Sequence, residues 1–110
     1  MKSDLSQKHC ESCEGIGKAL NPDQIQNLMP QLDKNWQVQG DILLKRSFSF
    51  ANFYETMAFA NALAWIANTE NHHPDLELGY NYCHVSFMTH SLKGLTQNDF
   101  ICAAKLDALM

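Results

Sequence analysis

The stretch WQVQGDILLKRSFSF, residues 36–50, decides the fold, because within it the spacing of apolar residues drops to two. Trp36 and Val38 lead into Gly40-Asp41, a tight-turn dipeptide, and beyond it Ile42, Leu44, Phe48 and Phe50 alternate with polar neighbours. Two alternating runs around a short turn predict a β-hairpin. Arg46 falls on the apolar side of the second run and is the one conflict with the pattern.

On the N-terminal side, Asn21-Pro22-Asp23-Gln24 predicts a helix start, with Asn as cap, Pro at the first helical position and Gln placed for a capping box. Ile25, Leu28 and Leu32 follow at helical spacing, and Pro30 is expected to end or bend that helix near Met29. On the C-terminal side, Asn52 with Glu55 can cap a long second helix. Phe53, Met57, Ala60, Ala64 and Ala67, flanked by Phe59, Leu63 and Ile66, give it a broad apolar face running to about Thr69. Pro74 is expected to prevent its continuation. Leu76-Glu77-Leu78 reads as a short strand, Gly79-Tyr80-Asn81 as a turn, and residues 84–90 as a further strand that His90 ends. Thr96 with Asp99 caps a last helix carrying Phe100, Ala103, Ala104 and Leu106. The order is α-β-β-α-β-β-α. Short connections between adjacent strands then predict an α+β fold, a four-stranded antiparallel sheet with three helices packed on one face.

The chain has 110 residues, the size of one domain, expected over residues 20–110 behind a flexible N-terminal arm at 1–19. Hydrophobic residues make up 45% and charged residues 18%, an ordinary globular balance, and the net charge of −4 gives no general positive field for nucleic acid or anionic membrane. No direct nucleic-acid or membrane partner is expected. MKSDLSQKHC lacks an apolar signal core, so a cytoplasmic location is expected, and the four cysteines are expected reduced.

Chemistry concentrates at Glu70-Asn71-His72-His73-Pro74-Asp75, where two imidazoles lie between two carboxylates before a proline, with His90 sixteen residues past Pro74. Three imidazoles can bind zinc with an open position, but adjacent histidines face one metal only on an irregular loop. Acid/base work asks less, since imidazoles titrate near neutrality and one can donate a proton while another accepts one. Three surface histidines at element ends remain the bland alternative. Asp99 is explained by helix capping, and it is also close enough in sequence to His90 to orient a ligand or a histidine. In the arm, CxxCxGxG at Cys10–Gly17 is the unit of the zinc repeats of DnaJ-type chaperones, but it occurs once. His9, Cys10 and Cys13 leave a tetrahedral site one ligand short, so unused thiols, an arm zinc site or a redox disulfide stay open.

HHPD at 72–75, Tyr80, Val85-Ser86-Phe87-Met88-Thr89-His90, Gly94-Leu95-Thr96, Asn98-Asp99-Phe100 and Ala103 strongly resemble the pterin-4a-carbinolamine dehydratases. Trp36, Phe48-Ser49-Phe50 and Phe53 agree as well, so the resemblance spans about residues 20 to 108. It implies an α+β sandwich of four antiparallel strands and three helices, assembled as a homodimer or homotetramer, often by extending the sheet across subunits. It implies dehydration of 4a-hydroxytetrahydrobiopterin to quinonoid dihydropterin and water, beside a phenylalanine hydroxylase, with no metal and no organic cofactor. By motif position, His72, His73 and His90 would be catalytic, with His72 and His90 as the acid/base pair and His73 binding and polarising the pterin. Pro74, Thr89, Ser91, Leu92 and Asp99 would line the substrate site. Animal members carry an aromatic residue where this chain has Leu76 and an acidic one where it has Asn68, and they lack the cysteine arm, which is similar to arms of bacterial relatives. Two other functions compete: a non-catalytic dimerisation or regulatory module, since the resemblance implies that animal relatives also act as dimerisation cofactors of a transcription factor, and a metal-dependent hydrolase built on the three histidines.

Overall fold

A computed structural model describes residues 4–110. Local chemistry sets the two hairpins of the sheet. Strand β1 (Gln37–Gln39) turns into β2 (Leu43–Ser49) through Gly40 and Asp41, both with positive φ, at 61° and 59°. Glycine and aspartate adopt that left-handed region at least cost, and the resulting turn matches the strand twist. Strands β3 (Asp75–Leu78) and β4 (Tyr82–Phe87) make the second hairpin, and antiparallel pairing of β2 with β4 gives the sheet order β1-β2-β4-β3. The register puts Leu44 opposite Phe87, Arg46 opposite Val85 and Phe48 opposite Cys83 on the inner face. Lys45, Ser47, His84 and Ser86 point outward, so the alternation seen in the sequence is the alternation of the two faces.

The expected α+β architecture is present, with additions. Helix α2 (Pro22–Leu28) has the predicted Asn21 and Gln24 capping box and passes into a 3-10 turn, Met29–Gln31, at Pro30. Helix α3 (Phe53–Glu70) starts on the Asn52 side chain, which accepts the Glu55 N–H. Helix α4 (Gln97–Asp107) starts on Thr96. The core joins Trp36, Leu44, Phe48, Val85 and Phe87 of the sheet region to Phe59 and Leu63 of α3 and to Phe100, Ile101 and Leu106 of α4. Phe48 and Phe59 rings meet at 4.5 Å, and Trp36 meets Phe48 edge-on at 6.1 Å.

Four readings from the sequence change. The buried face of α3 is Thr56, Phe59, Ala60, Leu63 and Ala67, whereas Phe53 and Ala64, expected on that face, are exposed. With apolar residues on every side of the helix, composition does not reveal which side is covered. Asn71 rather than Pro74 ends α3: it takes the left-handed conformation (φ 53°, ψ 43°), and its N–H bonds back to the Ala67 and Asn68 carbonyls. His90 does not end a strand, because β4 stops at Phe87 and Thr89 pairs only with Gly94. His90 instead opens a 3-10 turn, His90–Leu92, closed by Lys93 at φ 53°.

The fourth change is the arm. In the arm, expected to be flexible over residues 1–19, the 3-10 turn Asp4–Gln7 packs against α4, Cys10 and Glu11 bond to Asn98 at its start, and one helical turn follows, α1 (Cys13–Ile16); residues 1–3 lie outside the described residues. Leu5 is fully buried in the core, which explains why α4 is buried on nearly every side. Arg46, the conflict in β2, is also resolved. Its guanidinium lies over the Phe48 ring at 4.2 Å and donates to Asp107 Oδ1 at 2.6 Å, an oxygen that also accepts from Trp36 Nε1 at 2.7 Å. Among the described residues no helix is long and apolar enough to cross a membrane.

Candidate active site

The end of α3 delivers His72. After Asn71 turns left-handed, the His72 N–H reaches back to the Ala67 carbonyl at 3.0 Å, a Schellman-type closure that folds the chain sharply over the helix end. The imidazole is thereby turned inward, with its side chain only 10% exposed and its plane 7° from that of Phe87 in β4.

A carboxylate meets it there. Asp99 is completely buried in the first turn of α4, and its Oδ1 lies 2.6 Å from His72 Nε2. Its Oδ2 accepts the Thr96 N–H at 2.9 Å, completing the capping box, and the Thr89 hydroxyl at 2.8 Å. Since Thr89 donates to Asp99, the Thr96 hydroxyl donates to Thr89 across their 2.8 Å contact. Helix capping and histidine orientation, two readings of Asp99 left side by side by the sequence, are one arrangement. The cap fixes the carboxylate, and the carboxylate sets the ring. An acceptor at Nε2 keeps the proton on that nitrogen and leaves Nδ1 as the basic one, the way a buried carboxylate sets a histidine tautomer.

The other expected residues differ in how they are tied to this pair. His73 is exposed, and its Nε2 donates to the Asn68 side-chain oxygen at 3.0 Å, one turn back on α3. Pro74 is half-buried and feeds directly into β3. Thr89 is buried and touches Asp99, so the residue before His90 and the residue before His73 are joined through one carboxylate. His90 and Ser91 are exposed on the 3-10 turn, with Leu92 half-buried beside them. The structure thus ties His72, Thr89 and Asp99 together by hydrogen bonds, whereas His73, His90, Ser91 and Leu92 adjoin that cluster through the chain.

Three further residues, Thr96, Asn68 and Glu70, were named in the sequence without a role at the site. Thr96 and Asn68 orient Asp99 and His73. Glu70, treated as background, has a side chain only 4% exposed. Burial works to raise its pKa, but the Cys10 N–H, His9 and Lys105 outweigh that and hold it below the ordinary carboxylate value. Nothing local to Glu70 in the sequence gave a sign of partners some sixty residues away.

Among the described residues no group of three or more His, Cys, Asp or Glu side chains is placed to hold a metal ion. Cys10 turns toward Cys102 of α4, their sulfurs 3.6 Å apart, and Cys10, Cys83 and Cys102 are free thiols. The neighbouring Cys10 thiol together with burial pushes the Cys102 thiol far up, and burial raises Cys83. An open cleft of about 600 Å³ lies on the outer sheet face, lined by Lys45, Ser47, Asp75, Glu77, His84 and Ser86. None of the three expected histidines contributes to it.

Comparison with known proteins bears on the family and the fold. The family described as pterin 4 alpha carbinolamine dehydratase matches residues 18–109. A relative from Legionella pneumophila (strain Lens), provisionally named a pterin-4-alpha-carbinolamine dehydratase, is 73% identical over all of this chain and 98% of its own length. Among solved structures, a transcriptional coactivator/pterin dehydratase from Brucella melitensis superposes with a TM-score of 0.78 at 32% identity, covering 84% of this chain and 98% of that one. A pterin dehydratase-like protein identified as a RuBisCO assembly factor in the alpha-carboxysome superposes with a TM-score of 0.60 at 28% identity, covering 68% of this chain and 88% of that one. With the family matching all but its first 17 residues and its last, and with the fold shared, the chain belongs to the pterin-4α-carbinolamine dehydratase family.

Proposed function

We propose that this protein is a 4a-hydroxytetrahydropterin dehydratase working by histidine acid/base catalysis without a metal. The observation that carries the reading is the buried His72–Asp99 pair at 2.6 Å, with Thr89 bonded to the same carboxylate and the motif residues His73 and His90 next in the chain to His72 and Thr89. Dehydration breaks the C4a–O bond and the N5–H bond and forms the N5=C4a double bond, so one group must protonate the departing hydroxyl and another must take the N5 proton. His72, neutral with its proton on Nε2, takes the N5 proton at Nδ1, and Asp99 stabilises the imidazolium that results. His90, as imidazolium, gives its proton to the hydroxyl, which leaves as water. His73, held by Asn68, binds and polarises the pterin, with Pro74, Ser91 and Leu92 as the walls. The amide at Asn68 adds no charge to this grip.

The 4a-hydroxy derivative of tetrahydrobiopterin is the substrate proposed, a phenylalanine hydroxylase its source, and the cytoplasm the setting. The proposed assembly is a homodimer built on the free edge of β3, where Leu76 and Leu78 are 40% and 41% exposed, and two dimers can pair as a tetramer. The test is the rate at which the ultraviolet signal of the 4a-hydroxy compound decays when the protein is added to a hydroxylase reaction. His72→Ala and His90→Ala are each expected to lose about 100-fold or more in kcat. Wild-type rates from both variants would rule the assignment out.

A second reading, a binding or assembly role without catalysis, is favoured by the likeness to the RuBisCO assembly factor. It predicts that His72→Ala protein keeps its function in the cell. The buried His72–Asp99 pair favours the enzyme, because a binding module has no need of a carboxylate fixing one histidine tautomer.

A further inference from the structure

Outside the residues matched by the family, the backbone of two consecutive arm residues, Cys10 and Glu11, grips the two elements that carry the His72–Asp99 pair. The Cys10 N–H donates to Glu70 Oε1 at 2.7 Å, and Glu70 is the last residue of α3, two before His72. The Glu11 N–H donates to Asn98 Oδ1 at 3.1 Å, while Asn98 Nδ2 donates back to the Glu11 carbonyl at 2.7 Å. Asn98 is the residue before Asp99. A buried carboxylate and a side-chain amide, both committed to arm backbone, thus bracket the catalytic contact from the helix end and the helix start.

Further contacts hold the arm in register. His9 Nδ1 lies 2.8 Å from Glu70 Oε2, Lys105 Nζ donates to the Ser6 carbonyl at 2.9 Å and stands 3.9 Å from Glu70 Oε2, and Leu5 is buried in the core. The Cys10 thiol packs on Cys102 and donates to the Asn98 carbonyl at 3.6 Å. On the other side of Thr96, the Leu20 N–H binds the Leu95 carbonyl at 2.8 Å. The Asp99 side is therefore supported from both flanks by residues that precede α2.

We propose that residues 5–11 form a clasp that fixes the separation of the α3 end and the α4 start, with Glu70 and Asn98 as positioning residues for the His72–Asp99 pair. Neither touches substrate in this scheme. Their effect runs through the ring orientation of His72, which a small displacement of either helix end degrades, as misplacement of a proton-transfer group does generally. The catalytic consequence rests on the dehydratase reading, but the effect on the His72 ring does not.

The experiment compares full-length protein with a form starting at Ser12 and with Glu70→Ala, Glu70→Gln and Asn98→Ala. Two readouts are taken, nitrogen-15 NMR of the histidine rings and steady-state dehydration. Full-length protein is expected to show His72 as a single tautomer protonated on Nε2. In the truncated form, Glu70→Ala and Asn98→Ala, that signal is expected to move toward a tautomer average, with kcat down about ten-fold and KM changed less than about three-fold. Glu70→Gln keeps an acceptor for the Cys10 N–H and is expected to retain most of the wild-type tautomer signal and kcat. If the truncated form does not fold, the point variants decide. An unchanged His72 signal in folded Glu70→Ala and Asn98→Ala overturns the clasp whether or not the protein dehydrates pterins. A changed signal in a protein with no dehydratase activity supports the clasp and removes the activity reading alone.

Discussion

Replacing Asp99 with Asn removes one charge and almost no volume, and the surrounding donors dictate how the amide must sit. The Thr96 N–H, 2.9 Å from Oδ2, is a backbone donor that cannot become an acceptor, and the Thr89 hydroxyl donates to the same oxygen. The amide oxygen is therefore held at the Oδ2 position, since the reverse orientation would leave a buried donor unpaired at a cost of about 1–3 kcal/mol. The amide NH2 then faces His72 Nε2, where Oδ1 stood at 2.6 Å. To accept that hydrogen bond the imidazole must move its proton to Nδ1, and the nitrogen proposed as the base becomes a donor. Exchanging a charge-assisted hydrogen bond for a neutral one costs about 1–2 kcal/mol, a fall of roughly 5–10 °C in melting temperature for a domain of this size. The rate suffers far more, by about 100- to 10,000-fold in kcat, the range spanned by loss of general acid/base function. Stopped-flow dehydration measured beside thermal melting separates the two effects. A folded Asp99→Asn protein with kcat within about three-fold of wild type would refute the tautomer argument.

His73→Ala is expected to raise KM about ten-fold with little change in kcat in steady-state dehydration, because His73 is assigned to binding. Asp107→Ala strips Arg46, Trp36 Nε1 and the Asp33 N–H of their acceptor and leaves a guanidinium with 10% exposure at the inner face. Denaturant titration is expected to register a loss of about 2–4 kcal/mol with kcat per folded protein unchanged. Glu70 titrates below the ordinary carboxylate value of 4.5, so its charge contributes stability that is complete above that pH. The contribution is lost as pH falls through its lowered pKa. The melting-temperature gap between wild type and Glu70→Gln is thus expected to be steady near neutrality and to close on acidification below 4.5, and a gap that widens there would contradict the assignment.

The parts of this molecule fixed by near neighbours were legible in its sequence. Gly40-Asp41, the Asn21 and Thr96 capping boxes and the Pro30 break each act within about four residues, and each stands where spacing put it. The candidate histidines were legible as a motif, but not the partner of His72, because the 27 residues separating His72 from Asp99 are bridged only when α4 folds under the end of α3. Arg46 remained a conflict for the same reason, its acceptor Asp107 lying 61 positions away. The arm was the least legible part. Its polar composition suits a solvated segment, yet its backbone is held by Glu70 and Asn98, and one apolar residue, Leu5, inserts into the core. Asn71 was passed over in favour of Pro74 as the helix stop, although asparagine is a common left-handed terminator.

The central claim is tested most directly by adding increasing amounts of purified full-length protein to a fixed quantity of enzymatically generated 4a-hydroxytetrahydropterin and following its decay. The account predicts a first-order rate that rises linearly with protein concentration and is unchanged by prior treatment with a chelator. A decay rate indifferent to folded protein would contradict it.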